Sequence, residues 1–280
     1  MLVHETSSEK DKIEFFKKHP HSLCKYRIWS NKFHRRAITH NELYFSNPKR
    51  FNDPYDCGLP FKQNPHNYDP LVIKSVLERS ALNNFPELKN DQNALDEKCA
   101  KQLFLILQDP KSWFEMNWGL SPENLSEIFG VLSLTPHTNN YLMWSHYSDS
   151  HSGFCIEFDT RKLVESIAGH FQQVNYENEI PYISITDALE DELIVKLIYT
   201  KSIIWQYENE YRLSRIHKAD FTVEFDPKAI VAIYFGCKMK YDNQLEIINL
   251  AKEKYANTKF YKMELDNKMF NLIANEIKIL

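Results

Sequence analysis

The texture of the chain changes near residue 131, and that change limits the folds open to it. Before it, residues 70–128 repeat apolar side chains near i, i+3 and i+4, as in LVIKSVLERSAL (71–82) and ALDEKCAKQLFLILQ (94–108), which is the pattern of amphipathic helices. After it come short runs rich in β-branched and aromatic residues. These are VLSLT (131–135), GFCIEFD (153–159), QQVNYE (172–177), EYRLSRI (210–216), FTVEF (221–225) and IVAIYFG (230–236). Helices are expected at 139–147, 159–169, 184–201 and 241–256, with a last strand at 259–265. Upstream, 9–18 reads as a short amphipathic helix, 22–29 as a strand, 31–41 as a helix and 42–46 as a second strand. The expectation is an α+β fold of mostly antiparallel mixed sheets, one domain over 1–280 with a helical insertion at about 70–128.

Composition supplies the core and removes several function classes. Apolar residues make up 43%, with 18 Phe and 15 Tyr, so there is ample material to bury. The net charge of −4 gives no global positive field for nucleic acid, although a local basic face is compatible with it. Five cysteines (Cys24, Cys57, Cys99, Cys155, Cys237) stand at least 33 residues apart and form no C-x-x-C pair, as expected of thiols in a reducing compartment. The N-terminus lacks the apolar segment of a secretory signal, and no apolar run approaches the roughly 20 residues that span a bilayer. The cytoplasm, away from membranes, is the expected location. No G-x-G-x-x-G, P-loop, G-x-S-x-G or H-E-x-x-H occurs, which disfavours dinucleotide-binding sheets, P-loop enzymes, elbow-type serine hydrolases and zincins.

Three segments, roughly 44–56, 133–153 and 205–212, are dense in polar and aromatic groups and are expected to build the working surface. In FSNPKRFNDPYD (45–56), Asn52, Asp53 and Asp56 are suited to a ribose, to a metal, or to capping their own turn beside Pro54. In SLTPHTNNYLMWSHYSDSHSGFCIEF (133–158), Ser133, Thr135, Asn140, Trp144, His146, Tyr147 and His151 offer the mixture found in ligand pockets. The blander alternative puts Trp144 in the core and the two histidines at helix ends. In WQYENEYRLSRI (205–216), an extended chain would place Glu208, Glu210 and Arg212 on one face, as either a self-paired strand surface or an active-site cluster.

The blocks KYR (25–27), LYFSNPKRFNDPYDC (43–57), SLT (133–135), LMWSHYSDSHSGFCIEFD (142–159), WQYENEYRL (205–213) and IYFG (233–236) together resemble a bacterial family, domain of unknown function 2971. The order of strands, the aromatic YFSNP and the late E-x-E are also similar to ADP-ribosyltransferases, enzymes that use NAD without a G-x-G-x-x-G loop. That second resemblance implies an NAD-consuming effector with NAD as co-substrate and no metal. Glu210 would be the catalytic acid and Glu208 the accessory acid. Tyr26 or Arg27 would grip NAD, Ser133 and Thr135 would stand for the family's hydroxyl strand, and Tyr147 would stack on nicotinamide. Asn52, Asp53, Trp144, His146, His151 and Arg212 would support the substrate. The chain departs from that pattern in lacking H-x-T on the first strand and a third hydroxyl after Ser-Leu-Thr. The implied acceptor is a nucleic acid or protein, in a toxin or phage-defence setting with an antitoxin or other regulatory partner.

Two other classes fit the same residues. One is a metal-dependent nuclease or phosphodiesterase in which Asp53, Asp56, His146, His151 and the two glutamates bind divalent ions. The other is a non-enzymatic module that binds a nucleotide or a protein, with the helices at 70–128 as a docking surface.

Overall fold

The computed structural model describes residues 2–3, 8–58, 69–118, 124, 127–181, 187, 192–255 and 257–278. Its first elements are β1 (Leu2–Val3), α1 (Glu9–Lys17), β2 (Ser22–Arg27), α2 (Lys32–Thr39) and β3 (Glu42–Phe45). There follow α3 (Pro70–Asn84), α4 (Gln92–Gln108), α5 (Pro110–Trp118), β4 (Phe129–Leu134), α6 (Tyr141–Tyr147), β5 (Phe154–Asp159) and α7 (Thr160–Ile167). The last are β6 (Gly169–Gln173), β7 (Asn175–Glu177), α8 (Glu192–Ile198), β8 (Thr200–Ser202), β9 (Tyr211–Ile216), β10 (Phe221–Glu224), β11 (Ile230–Phe235), α9 (Tyr241–Lys254), β12 (Lys259–Leu265) and β13 (Leu272–Glu276). The fold is α+β with mostly antiparallel mixed sheets. It divides into two compact units, residues 1–46, 130–174 and 204–280 in the first, and 47–129 and 175–203 in the second.

The first unit carries a five-stranded sheet in the order β13-β12-β11-β5-β2, a four-stranded sheet β1-β6-β9-β4 and a two-stranded pair β10-β3. In the five-stranded sheet only β11 and β12 run parallel, and α9 makes the crossover that a parallel pair requires. The two larger sheets are joined where Cys24 and Thr135 exchange main-chain hydrogen bonds of 2.6 and 3.1 Å. A second bridge ties Ser46 to Val131.

Alternation along β5 shows why its sheet is buried on both faces. Phe154, Ile156 and Phe158 point into the main core with Leu23, Ile233 and Phe235, while Cys155 turns to a second cluster with Cys24, Tyr26, Met143 and Trp144. Helix α7 buries Leu163, Val164 and Ile167 in the main core, and α9 buries Ile247, Ile248 and Ala251, each set spaced to share one helix face. Helix starts follow side-chain chemistry: Ser8, Asn31, Asn140 and Asp159 each accept a main-chain N–H from the first turn.

The second unit packs α3 on α4 through Ile73, Val76, Leu77, Leu95 and Cys99, with Trp113 and Phe114 of α5 also buried. Its strands β7 and β8 form a short parallel pair.

Several boundaries differ from the sequence pattern. The run 172–177 is two strands, because Val174 turns inward between β6 and β7 and donates to the Glu210 carbonyl. The described helix of 184–201 is limited to α8, and its last expected residues form β8; residues 184–186 and 188–191 lie outside the described residues. Of the long loop at 47–70, residues 59–68 also lie outside them. Strand β13 has a single buried side chain, Leu272, and therefore no alternating signal to find.

Close main-chain approach makes Gly236 a sensitive position, since a Cβ there would meet the His151 carbonyl oxygen at 2.1 Å. Gly236→Ala is expected to lower unfolding free energy by about 1–3 kcal/mol. Urea denaturation of the variant beside wild type measures it.

Candidate functional site

The site grows from the approach to β9 in the first unit. Residues Ile203–Glu208 turn as a 3-10 helix, and Asn209 takes φ 44°, a left-handed conformation that asparagine tolerates better than most residues. Glu208 therefore does not share an extended face with Glu210 and Arg212. The turn at Asn209 breaks that register, so the i, i+2, i+4 arrangement survives only for Glu210 and Arg212. Tyr211 and Leu213 fill the main core from the opposite face of β9.

The two carboxylates are buried, Glu208 at 3% and Glu210 at 4% exposure, and Arg212 is fully buried. Arg212 holds both oxygens of Glu210, with Nε to Oε1 at 2.8 Å and Nη2 to Oε2 at 2.9 Å. Such a two-pronged contact fixes the carboxylate's orientation as well as its charge. The Tyr147 hydroxyl donates to Glu208 Oε1 at 2.6 Å, and the Thr135 hydroxyl donates to the Glu208 carbonyl at 2.6 Å. Asn140, which caps α6, donates through Nδ2 to the Tyr207 carbonyl at 2.8 Å. The segments at 133–147 and 205–212 thus meet around the acids.

Other expected residues have mixed placements. Ser133 offers its carbonyl to Lys25 Nζ at 2.5 Å. Tyr26 is buried, donates its hydroxyl to the His137 carbonyl at 2.7 Å and meets Trp144 edge-on at 5.0 Å. Trp144 is fully buried in the same cluster and donates Nε1 to the Thr138 carbonyl. His146 is exposed, with its ring centroid 6.4 Å from that of Trp205. His151 is the third of three successive left-handed residues after Asp149 and Ser150. These return main-chain N–H groups to the carbonyls of Trp144 and Ser145 at the end of α6. The His151 Nδ1 is buried without a partner.

Asn52, Asp53 and Asp56 belong to the second unit. Asp53 accepts the Tyr55 N–H at 2.9 Å, the self-capping turn that Asn-Asp-Pro favours, and Asp56 lies 3.3 Å from the buried Lys201. Both acids line a cavity of about 270 Å³ with Glu127 and Cys57. Among the described residues, no group of three or more His, Cys, Asp and Glu side chains is arranged to hold a metal ion. Nor is any described helix long and apolar enough to cross a membrane.

Two residues escaped the sequence reading. Lys25 is half-buried, and desolvation together with the charge of Arg27 brings its ammonium down to about 7, against the opposing pull of Glu210 and Glu208. His34 is pushed down to about 4 by burial, then by Arg27 and Lys25. The available signal was the alternation in KYR, which puts Lys25 and Arg27 on one face of a strand.

Arg212→Met leaves Glu210 buried without its cation and is expected to cost about 3–5 kcal/mol, most of it regained in Glu210→Leu/Arg212→Met. A double-mutant cycle in urea measures this. His34 adds a pH dependence: unfolded chain takes up a proton near pH 6.5 that folded chain refuses until about pH 4. Its contribution to stability is complete above pH 6.5 and is lost as the pH falls toward 4. The urea midpoint of His34→Asn should therefore fall less than that of wild type between pH 7 and pH 4.5.

No curated protein and no solved structure matches the chain. Residues 143–213 match the model of the family described as Protein of unknown function (DUF2971), a stretch that contains Trp144, Tyr147, Glu208, Glu210 and Arg212.

Proposed function

We propose that the chain is an NAD-consuming transferase of the ADP-ribosyltransferase type. The observation that carries this reading is the pair of buried, separately anchored carboxylates at Glu208 and Glu210. When the bond between nicotinamide and ribose breaks, nicotinamide leaves as a neutral molecule with the bonding electrons, and positive charge develops on the ribose. A carboxylate already fixed in a water-poor site stabilises that charge without reorganising. Glu210, oriented by Arg212, takes this role. Glu208, oriented by the Tyr147 hydroxyl, orients the acceptor. The acceptor is a nucleic acid or a protein, and a toxin or phage-defence setting with a regulatory partner suits a chain that consumes NAD.

One observation favours a second reading, a non-enzymatic binding module. Both acids already have partners within the chain, as the members of a purely structural polar core would.

Release of nicotinamide from NAD separates the two. With purified protein and a mixture of DNA, RNA and protein extract, Glu210→Gln is expected to reduce release by about 10²–10³-fold, and chelator to leave it unchanged. No release by wild type would favour the binding module, and equal release by wild type and variant would remove Glu210 from the chemistry.

A further inference from the structure

Lys25 stands on β2 with its side chain half-buried and directed at the end of β4, where Nζ donates to the Ser133 carbonyl at 2.5 Å. Among the described residues that carbonyl is its one hydrogen-bond partner, and no carboxylate forms an ion pair with it. The nearby acids are held by other donors: Glu210 by both prongs of Arg212, and Glu208 by the Tyr147 hydroxyl. Arg27 leaves the same face of β2, about 7 Å further along the strand. A lysine so placed has lost much of its water, has a like charge on its own strand and touches only a neutral acceptor.

The charged groups around it act in both directions. Burial, and then Arg27, bring the ammonium down to about 7; Glu210 and Glu208 pull the other way, and Arg212 adds to the lowering. His34 on α2 shares this neighbourhood, since Arg27 and Lys25 both depress it. At pH 7 about half of such amines carry no proton, against about one in 2,500 for an ordinary lysine. A neutral amine that donates one N–H to Ser133 keeps its lone pair, the nucleophile that carbonyl chemistry requires. The product fits the same surroundings. A protonated imine retains one N–H for the Ser133 carbonyl, and its positive charge is favoured by Glu210 and Glu208 as the ammonium's is.

We propose that Lys25 is a covalent binding site for small aldehydes, which it captures as an imine. The neutral nitrogen attacks the carbonyl carbon, and a C–N bond forms as the carbonyl π pair moves to oxygen. That oxygen takes a proton while the nitrogen gives one up, and loss of water from the carbinolamine leaves the C=N bond, so no oxidant or reductant is consumed. An aldehyde fits better than a ketone because only one substituent has to be placed beside a half-buried nitrogen. The site stands independently of the transfer chemistry proposed above, and its test uses no NAD.

Acetaldehyde is the probe, given in a short pulse to folded full-length chain with cyanoborohydride, which reduces the imine to a stable ethylamine for peptide mass spectrometry. At pH 7 Lys25 should be ethylated about tenfold faster or more than Lys32, an exposed lysine on α2. The ratio should fall as the pH rises to 9, because Lys32 gains neutral amine while Lys25 has little left to gain. Unfolding in guanidinium should bring the ratio to about one. A ratio near one in the folded chain at pH 7, a ratio that does not fall with pH, or a preference that survives unfolding would overturn the proposal.

Discussion

The two-pronged contact between Arg212 and Glu210 fixes how the chain enters β9 in the first unit. A guanidinium with no solvent exposure is tolerable only beside a fixed counter-charge, and a carboxylate at 4% exposure needs the same. The contact requires Glu210, just before β9, and Arg212, on it, to leave the same face two residues apart. That requirement sets Tyr211 and Leu213 into the core on the other face. The left-handed turn at Asn209 then delivers Glu208 to Tyr147 instead of to the strand.

A second constraint acts at the bridge between Cys24 and Thr135. It brings β2 against the end of β4, and with it the Lys25 ammonium within reach of the Ser133 carbonyl. The glutamates of the site have donors within the unit, whereas Lys25 donates to the Ser133 carbonyl and Arg27 to that of Tyr26. Burial first, and then the charge of Arg27, brings the Lys25 ammonium down to about 7 against the opposing pull of Glu210 and Glu208.

Most of the fold was legible wherever a residue pattern has a single structural meaning. The run GFCIEFD (153–159), rich in β-branched and aromatic residues, was expected as a strand and is β5, and 241–256 was expected as a helix and holds α9. The meeting of the 133–147 and 205–212 segments was suggested by their polar density and follows from hydrogen bonds at Thr135, Asn140 and Tyr147. The shared face of Glu208 and Glu210 was not legible, because a single positive φ at Asn209 is invisible to a period-2 pattern. Asp53 illustrates a different limit: Asn-Asp-Pro has a structural use as an Asx turn, and in the second unit its carboxylate serves that turn. Lys25 and His34 were missed because their character comes from desolvation and neighbouring charge, neither of which is a property of local sequence.

The proposed function requires that the anchored carboxylates act on a dinucleotide and do not merely hold the fold. Calorimetric titration of NAD into wild type and Glu210→Gln tests it most directly. A carboxylate that acts on charge developing in the reaction contributes little to binding the ground state, so both proteins should bind NAD with similar affinity. Absence of NAD binding to wild type would rule out a role for these carboxylates in NAD chemistry.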